Sequence, residues 1–318
     1  MQKRLVRVLS TAVALTSAVT AAQAQDYPSR PVEMIVGWSA GGIIDATARG
    51  FAKSMSEVTG SRIVVINREG ASGMIAAQQV AQASPDGYVV GYGPITPMAT
   101  AAYAVANPRY SVNDFQFVCK VFDNVFTVMV PNNSPYKTLD ELMTAIRAKP
   151  GQMSYGHFGP NSLGHMVGAK VVDSLKLNII EVPFKGEAPI YPELMANRLD
   201  FGIGTLNGGR GKPIRVLGVV SEQRVASVPD VPTLKEAGLP TLAPAQVGLF
   251  APKSLPKATL DKLGDMCEKT ARSTSFQEHM QRLQEPIVYR NTADFTKLAH
   301  EATQAQIDQA RKMSIKPQ

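Results

Sequence analysis

The sequence predicts an α/β fold arranged as two lobes with a ligand cleft between them. At 318 residues, the chain is long enough for two domains of roughly 150 residues each. Short apolar runs alternate with helical patterns, which is typical of parallel strands covered by helices. The alternation occurs twice, and a long apolar segment at 115–130 separates the two units.

The first unit has a strand–helix–strand–helix–strand order. Its predicted elements are strand 32–36, a helix beginning at Ile44, strand 62–67, helix 76–83 and strand 88–92. Phe51 and Met55 follow the helical period, and Gly60 stands where a C-cap glycine is expected. Ser84–Gly87 forms the turn before the third strand, because its proline fixes φ and its glycine accepts a positive φ.

The second unit repeats this order after the long apolar segment. Its predicted elements are helix 138–148, strand 153–156, helix 163–175, strand 178–183, helix 189–197 and strands 200–204 and 214–220. Thr138 and Glu141 form a capping box at the start of the first of these helices. A strand at 247–250 and helices at 256–273, 275–283 and 292–312 follow, and we expect them to return to the first lobe.

The chain is predicted to divide into a signal peptide and two lobes. Within residues 1–24, a basic start leads to a charge-free apolar run, and Ala22-Gln-Ala24 fits signal peptidase. A membrane anchor is the alternative, but the apolar run is shorter than the ~20 residues needed to span a bilayer. Residues 25–124 and 247–318 are assigned to lobe 1 and residues 125–246 to lobe 2, and the protein is expected in the periplasm.

Composition and charge exclude several classes of protein. With 44% hydrophobic and 19% charged residues, the chain is not collagen-like, coiled-coil or disordered. After residue 24, 30 basic residues face 26 acidic ones, an excess too weak and scattered to indicate nucleic-acid binding. Cys119 and Cys267 could form a disulfide, although two buried free thiols are the favoured interpretation. No Cys/His spacing typical of a metal site occurs, and we expect neither a metal nor an organic cofactor.

Four strand-to-helix loops carry the candidate binding residues, because ligands of open α/β sheets bind beyond the carboxyl ends of strands. The loops are Gly37–Gly42, Gly93–Pro97, His157–Ser162 and Thr205–Gly209. Glycines let backbone N–H groups approach a ligand, and a helix that starts there adds free N–H donors and a positive dipole end. This pattern suits an anion such as a carboxylate, with tight turns that bind nothing as the alternative.

The first loop also matches a pattern found in serine hydrolases. Gly37–Gly41 reads G-x-S-x-G between a predicted strand and a predicted helix, which would make Ser39 the nucleophile. Too little chain precedes the loop to supply the usual oxyanion donor, and none of the four histidines stands in a triad context. The hydrolase is therefore kept only as an alternative.

Side chains in and near the loops give further candidates. His157 is predicted in a loop, where it could donate to a ligand oxygen, and binding would then strengthen as pH falls through its pKa. His165 is expected to be structural, and Asp45 either caps its helix or meets a ligand amine. Aromatic residues flank the loops, either as core or as a clamp for a planar ligand: Trp38, Tyr92, Tyr155 and Phe158.

Several short motifs follow one another along the chain in a specific order. They are Tyr27-Pro-Ser-Arg-Pro31, Gly41-Gly42-x-x-Asp45, Val65-Ile-Asn-Arg68, Gly70-Ala-Ser-Gly73, Ser84-Pro-Asp-Gly-Tyr88, Val182-Pro-Phe-Lys-Gly186 and Val228-Pro-Asp-Val-Pro-Thr233. In these motifs the chain resembles the Bug-type extracytoplasmic solute receptors of tripartite tricarboxylate transporters. The resemblance covers nearly all of the chain after residue 24.

The resemblance implies a two-lobed periplasmic binding protein of type II that closes on a small carboxylate and performs no catalysis. Membrane subunits of the transporter are the implied partners, a membrane signalling kinase is the alternative, and we expect a monomer. The implied binding residues are Ser39, Gly41, Gly42 and Asp45 in lobe 1, His157, Phe158, Asn161 and Ser162 in lobe 2, and Gly93 and Thr96 at the rim. Trp38 and Thr205 complete the predicted set.

The chain departs from the family pattern at several positions. His157 and Phe158 stand where small residues are usual, and Gly204 stands where an aspartate is common. The missing carboxylate argues against an amino-acid ligand, whose ammonium group would need it. The added rings favour a larger or aromatic carboxylate, an expectation that fails if only aliphatic dicarboxylates such as malate bind.

Overall fold

The computed structural model describes residues 27–159, 162–184, 186–240 and 243–315. Its strands are β1 (Val32–Val36), β2 (Ile63–Asn67), β3 (Val89–Pro94), β4 (Phe115–Asn124), β5 (Phe126–Pro131), β6 (Ser154–His157), β7 (Ile180–Pro183), β8 (Phe201–Thr205), β9 (Ile214–Val220), β10 (Ala245–Pro252) and β11 (Ile287–Arg290). Its helices are α1 (Ile43–Thr59), α2 (Met74–Ala81), α3 (Thr96–Ala104), α4 (Leu139–Ala148), α5 (Leu163–Ser174), α6 (Ile190–Met195), α7 (Lys257–Arg272), α8 (Thr274–Leu283) and α9 (Thr292–Lys312).

The strands form two mixed sheets, one in each lobe. The first has the order β11-β4-β10-β3-β1-β2, and the second has the order β7-β6-β8-β5-β9. In the first sheet β1, β2 and β3 run parallel, while β10 runs antiparallel between β3 and β4. In the second sheet β6, β7 and β8 run parallel, and β5 is antiparallel to both β8 and β9. The prediction of a two-lobed α/β fold is confirmed.

Helices cover both faces of each sheet. One face of the first sheet packs against α1, α7 and α8, and the other packs against α2, α3 and α9. In the second sheet, α4 and α5 share one core while α6 closes a smaller core on the opposite face. The core that holds α4 and α5 also receives residues of α3 and of the end of α9, so these two helices join the lobes.

Local sequence signals set several helix boundaries. The Thr138 hydroxyl accepts the backbone N–H of Glu141 at 3.2 Å, as the capping box predicts. Helix α1 ends at Gly60, whose φ of 71° is the left-handed conformation that favours glycine at a helix C-terminus. The Ser162 hydroxyl caps α5 by accepting the N–H of His165 at 3.1 Å.

Three features differ from the sequence-based expectation. The apolar segment at 115–130 divides at Val125 into β4 and β5, which belong to different sheets. Helix α3 is not predicted, because eight of its nine residues are of small or apolar type and no polar face gives it a helical period. Strand β11 has only four residues and lies at the edge of its sheet, which leaves a weak sequence signal.

The two cysteines form a disulfide, so the favoured interpretation of two free thiols is wrong. Cys119 of β4 and Cys267 of α7 are bonded, with their Cα atoms 6.6 Å apart. The packing of α7 on β4 brings together residues that are 148 positions apart in sequence. Both residues are fully buried in the core of lobe 1.

Among the described residues, no helix is both long and apolar enough to span a membrane. The predicted signal peptide, residues 1–24, lies outside the described ranges.

Candidate functional site

The chain topology brings the carboxyl edges of the two sheets together. Strand β4 leaves the first sheet at Asn124, and β5 enters the second sheet at Phe126. Phe126 pairs with Thr205, the last residue of β8, while Asn124 pairs with Ala245, the first residue of β10. The carboxyl ends of β3 and β4 therefore lie at the same boundary as the carboxyl ends of β8 and β9. The loops that follow the parallel strands of both sheets begin at this boundary.

A hydrogen-bond network centred on Asp45 fixes the conformation of the first loop, Gly37–Gly42. Asp45 is 2% exposed, and its carboxylate accepts the backbone N–H of Gly41 at 2.9 Å. Arg49 binds both carboxylate oxygens, at 3.0 and 2.9 Å, and Asn67 donates to Oδ1 at 2.8 Å. Although burial raises the pKa of Asp45, these hydrogen bonds hold it below its ordinary value. Asp45 thus shapes the loop, and its carboxylate is already fully bonded within lobe 1.

The residues that this network positions are exposed. Ser39, Gly41 and Gly42 are all exposed, and Gly42 is the N-cap of α1 without any side-chain cap. The Ser39 hydroxyl donates to Glu69 Oε2 at 2.8 Å rather than to a histidine, which gives the serine-hydrolase alternative no support.

Trp38 is packed between the glycine-rich turns of lobe 1. A Cβ atom placed on Gly73 would lie 2.8 Å from the Trp38 ring, and one placed on Gly93 would lie 2.6 Å from it. The indole therefore lies directly against both turns, and only glycine leaves it room. Gly93 is buried at the end of β3, and Thr96 is half-buried at the first turn of α3. The structure thus brings Trp38, Gly93 and Thr96 to the edge where Gly41 and Gly42 lie.

The second-lobe residues lie deeper than the sequence suggests. His157 is the last residue of β6, not a loop residue, and it is 2% exposed with Nδ1 3.1 Å from the Gly159 carbonyl oxygen. The ring of Phe158 stacks on Phe126 with centroids 5.3 Å apart. Ser162 is 5% exposed and bonded as a helix cap, and Asn161 lies outside the described residues. His157 is thus buried and Phe158 packs on Phe126, and the expectation of an aromatic ligand stays a prediction.

A glutamate that the sequence analysis missed lies at the end of β8. Glu187 Oε1 accepts hydrogen bonds from the backbone N–H of Thr205 and from its hydroxyl, the latter at 2.8 Å, and also from the Tyr191 hydroxyl. A Cβ atom on Gly204 would lie 3.1 Å from the same oxygen. Glu187 therefore places a carboxylate beside Gly204, the position at which the family resemblance implies an aspartate. Its position in a turn before α6 gives no sequence signal.

A groove lies elsewhere on the protein, away from the predicted loops. It has a volume of about 1100 Å³ and lies between α8, β11 and the segment at 226–227. None of the four predicted loops lines it. One of its residues, Glu285, is buried at the contact between lobes, where Asn207 and Arg210 donate to the Leu283 carbonyl oxygen at 2.9 and 2.5 Å.

A family model described as a tripartite tricarboxylate transporter family receptor matches residues 47–313. The chain belongs to this receptor family. A UPF0065 protein from the tcbD–tcbE intergenic region of Pseudomonas sp. strain P51 is a curated relative. It is 32% identical over 285 residues, which cover 87% of this chain and 85% of the relative. The Bug-type resemblance is thereby confirmed.

Solved structures of receptors share the fold. The periplasmic binding protein BugD is 28% identical with a TM-score of 0.78, over 92% of this chain and all of that one. MatC from Rhodopseudomonas palustris with bound malate is 25% identical with a TM-score of 0.77, over 89% of this chain and 99% of that one. An R. palustris protein with adipate is 26% identical with a TM-score of 0.81, over 92% of this chain and all of that one.

Proposed function

We propose that this protein is a periplasmic receptor that binds a small organic carboxylate in the cleft between its lobes. It delivers the ligand to the membrane subunits of a tripartite tricarboxylate-type transporter. The observation that supports this most strongly is the exposed segment Ser39–Gly42, which precedes α1 at the edge where the two sheets meet. Receptor structures with malate and with adipate share this fold.

The chemistry of this segment suits an anion. Helix α1 has 17 residues, and its first-turn N–H groups receive no side-chain cap. Free N–H groups and the positive end of the helix dipole attract a carboxylate. Asp45 lies in the same turn, but Arg49 neutralises its charge, so it does not repel the ligand. Trp38 supplies a flat apolar surface for the ligand's carbon chain.

An aliphatic dicarboxylate is the ligand class that we favour. Two of the solved neighbours hold malate and adipate, which are aliphatic dicarboxylates, while His157 is buried and Phe158 stacks on Phe126. Glu187 adds an acceptor at the end of β8 for a ligand hydroxyl or ammonium group. Malate and aspartate are therefore expected to bind at least as well as succinate.

Ligand capture is proposed to work by closure of the two lobes, with residues 25–124 and 247–318 as one lobe and 125–246 as the other. A bound dicarboxylate would contact loops of both lobes in the closed state but of one lobe in the open state. It would therefore bind the closed state more tightly and favour it. Residues 1–24 would direct export, and the mature receptor would act as a monomer. A receptor that reports to a membrane signalling kinase would use the same binding step.

A titration monitored by tryptophan fluorescence tests the proposal, because Trp38 is the single tryptophan of the chain. The panel comprises aliphatic di- and tricarboxylates, aspartate, glutamate and aromatic carboxylates, with isothermal calorimetry as the second readout. Gly42→Ala adds a methyl group beside the α1 N-terminus, at a backbone conformation that alanine accepts. We expect it to weaken binding at least 10-fold, about 1.4 kcal/mol.

Gly264→Ala is the matched control. A Cβ atom at Gly264 or at Gly42 has its nearest neighbour at 3.4 Å, but Gly264 lies in α7, away from the loops. The control should bind like the unaltered protein. Equal affinities for the two variants, or no response to any carboxylate, would contradict the proposal. Ser39→Ala should cost only modest affinity, and loss of an ester-hydrolysing turnover in that variant would instead favour the hydrolase.

A further inference from the structure

Two histidines and a glutamate meet in lobe 2, although their sequence spacing gives no metal pattern. His157 ends β6, His165 lies in the first turn of α5, and Glu181 lies in β7. One ring nitrogen of each histidine and one carboxylate oxygen of Glu181 all lie within 4.8 Å of one another. His165 Nε2 is 3.6 Å from Glu181 Oε2, and the two imidazole rings stack with centroids 4.7 Å apart.

The hydrogen bonds around this cluster prepare it to accept a cation. A carbonyl oxygen only accepts, so the contact between His157 Nδ1 and the Gly159 oxygen at 3.1 Å places the ring proton on Nδ1. The Nε2 lone pair of His157 is then available as a ligand. Histidines that bind metals characteristically donate their other ring N–H to a carbonyl or carboxylate in this way.

The glutamate is oriented in the same manner. The Tyr155 hydroxyl donates to Glu181 Oε1 at 2.8 Å, while Oε2 points toward His165. Tyr155 is fully buried, so this hydrogen bond fixes the carboxylate from the protein side. The side chain of Glu181 is 37% exposed, which gives an ion access from solvent.

We propose that His157, His165 and Glu181 bind a divalent transition-metal ion, with Zn²⁺ as the best match. Two imidazole nitrogens and one carboxylate oxygen form a known donor set for a zinc ion that keeps one position open for water. Tetrahedral bonds of about 2.0–2.1 Å set ligand atoms roughly 3.3 Å apart. The ligand atoms of the cluster, which lie within 4.8 Å of one another, would therefore need to approach by roughly 1.5 Å, and the exposed side chain of Glu181 can move toward the histidines.

A metal at this position would cross-link α5 to β6 and β7. Because His157 ends β6 and His165 lies in the first turn of α5, the ion would hold the two ends of the second-lobe loop together. The inference does not depend on the proposed carboxylate function, since it rests on a separate cluster of side chains.

The test uses the untagged, chelator-treated protein, titrated with Co²⁺ and then with Zn²⁺. One equivalent of Co²⁺ should give the visible absorption of a four- or five-coordinate ion, and Zn²⁺ should displace it one for one. Glu181→Gln keeps the shape of the side chain and the hydrogen bond from Tyr155, but it removes the charged ligand atom and should weaken Zn²⁺ binding at least 100-fold. His165→Ala removes a second ligand and should have an effect of the same size. Tyr155→Phe acts through Glu181 and should weaken binding by roughly 10-fold.

His300→Ala removes a histidine of α9 and serves as the matched control, with unchanged metal binding expected. Circular dichroism shows which variants fold. If His165→Ala does not fold, the near-isosteric Glu181→Gln still tests the metal site. Absence of Co²⁺ absorption in the unaltered protein would overturn the inference. Equal Zn²⁺ affinity for Glu181→Gln, His300→Ala and the unaltered protein would also overturn it.

Discussion

Glu285 is a buried carboxyl group whose ionisation should make the stability of the protein depend on pH. It is 7% exposed and lies near Asn207 and Arg210 of the opposite lobe. Burial raises the pKa of Glu285 to about 7 from its ordinary value of 4.5, against the lowering effects of Arg210 and of the Asn207 hydrogen bond. Glu285→Gln keeps the shape of the side chain and removes the charge.

The magnitude follows from the two pKa values. A shift of about 2.5 units corresponds to about 3 kcal/mol of folding free energy. Because the folded state binds more protons than the unfolded state between pH 4.5 and about 7, the free energy of unfolding falls as pH rises through that window and is constant above it. At pH 8, Glu285→Gln should therefore be about 3 kcal/mol more stable than the unaltered protein, with no difference at pH 4.

Urea unfolding and calorimetry at intervals from pH 4 to pH 8 measure this effect. For a protein of this size, 3 kcal/mol corresponds to a rise in Tm of about 5 °C. Glu278→Gln is the matched control, since Glu278 is exposed on α8, the helix that ends two residues before Glu285, and its replacement should change the free energy of unfolding little. The reasoning is refuted if Glu285→Gln and Glu278→Gln show the same pH profile, or if Glu285→Gln is less stable at pH 8.

Three further predictions concern lobe 1. The double variant Cys119→Ser, Cys267→Ser removes a cross-link between residues 148 positions apart. Chain-entropy arguments predict that its free energy of unfolding is lower by about 4–5 kcal/mol, which urea unfolding measures against the oxidised protein. Asp45→Asn should lower the free energy of unfolding by about 1–3 kcal/mol at pH 7, because it breaks charge-assisted hydrogen bonds. Since the pKa of Asp45 is lowered in the folded state, the stabilisation by its carboxylate is lost as pH falls below about 4. The unfolding free energies of the two proteins should therefore become equal in acid. Gly93→Ala should push the Trp38 ring aside, and its emission maximum should move to longer wavelength; an unchanged spectrum would mean that the ring does not pack there.

Much of the fold is readable from local sequence patterns. The helix boundaries at Thr138 and Gly60 follow from a capping box and a C-cap glycine, which act within one turn of the chain. The strand-to-helix loops at Gly41 and Gly93 are also predictable, because their glycines mark the turns within the local sequence. Alternating elements also predict parallel strands, and parallel strands place their loops at one edge.

The remainder depends on contacts between distant segments. The disulfide requires α7 to pack on β4, and the carboxylate of Glu187 reaches the end of β8 from a turn that follows β7. His157 illustrates the limit most clearly. Strand β6 extends one residue beyond its predicted end, and this shift makes His157 a buried strand residue instead of a loop residue, because helices cover both faces of the sheet. Neither composition nor spacing reveals such a shift.

The position of β10 has a consequence for the order of folding. In the first sheet β10 lies between β3 and β4, and its first residue, Ala245, follows both of them by more than a hundred positions. The N-terminal strands cannot close their sheet until the whole of the second sheet has been synthesised. A nascent chain that stops before Ala245 leaves β3 and β4 with open, unpaired edges, which are templates for aggregation. The second sheet, whose strands all lie within one continuous stretch, can form before the first is complete.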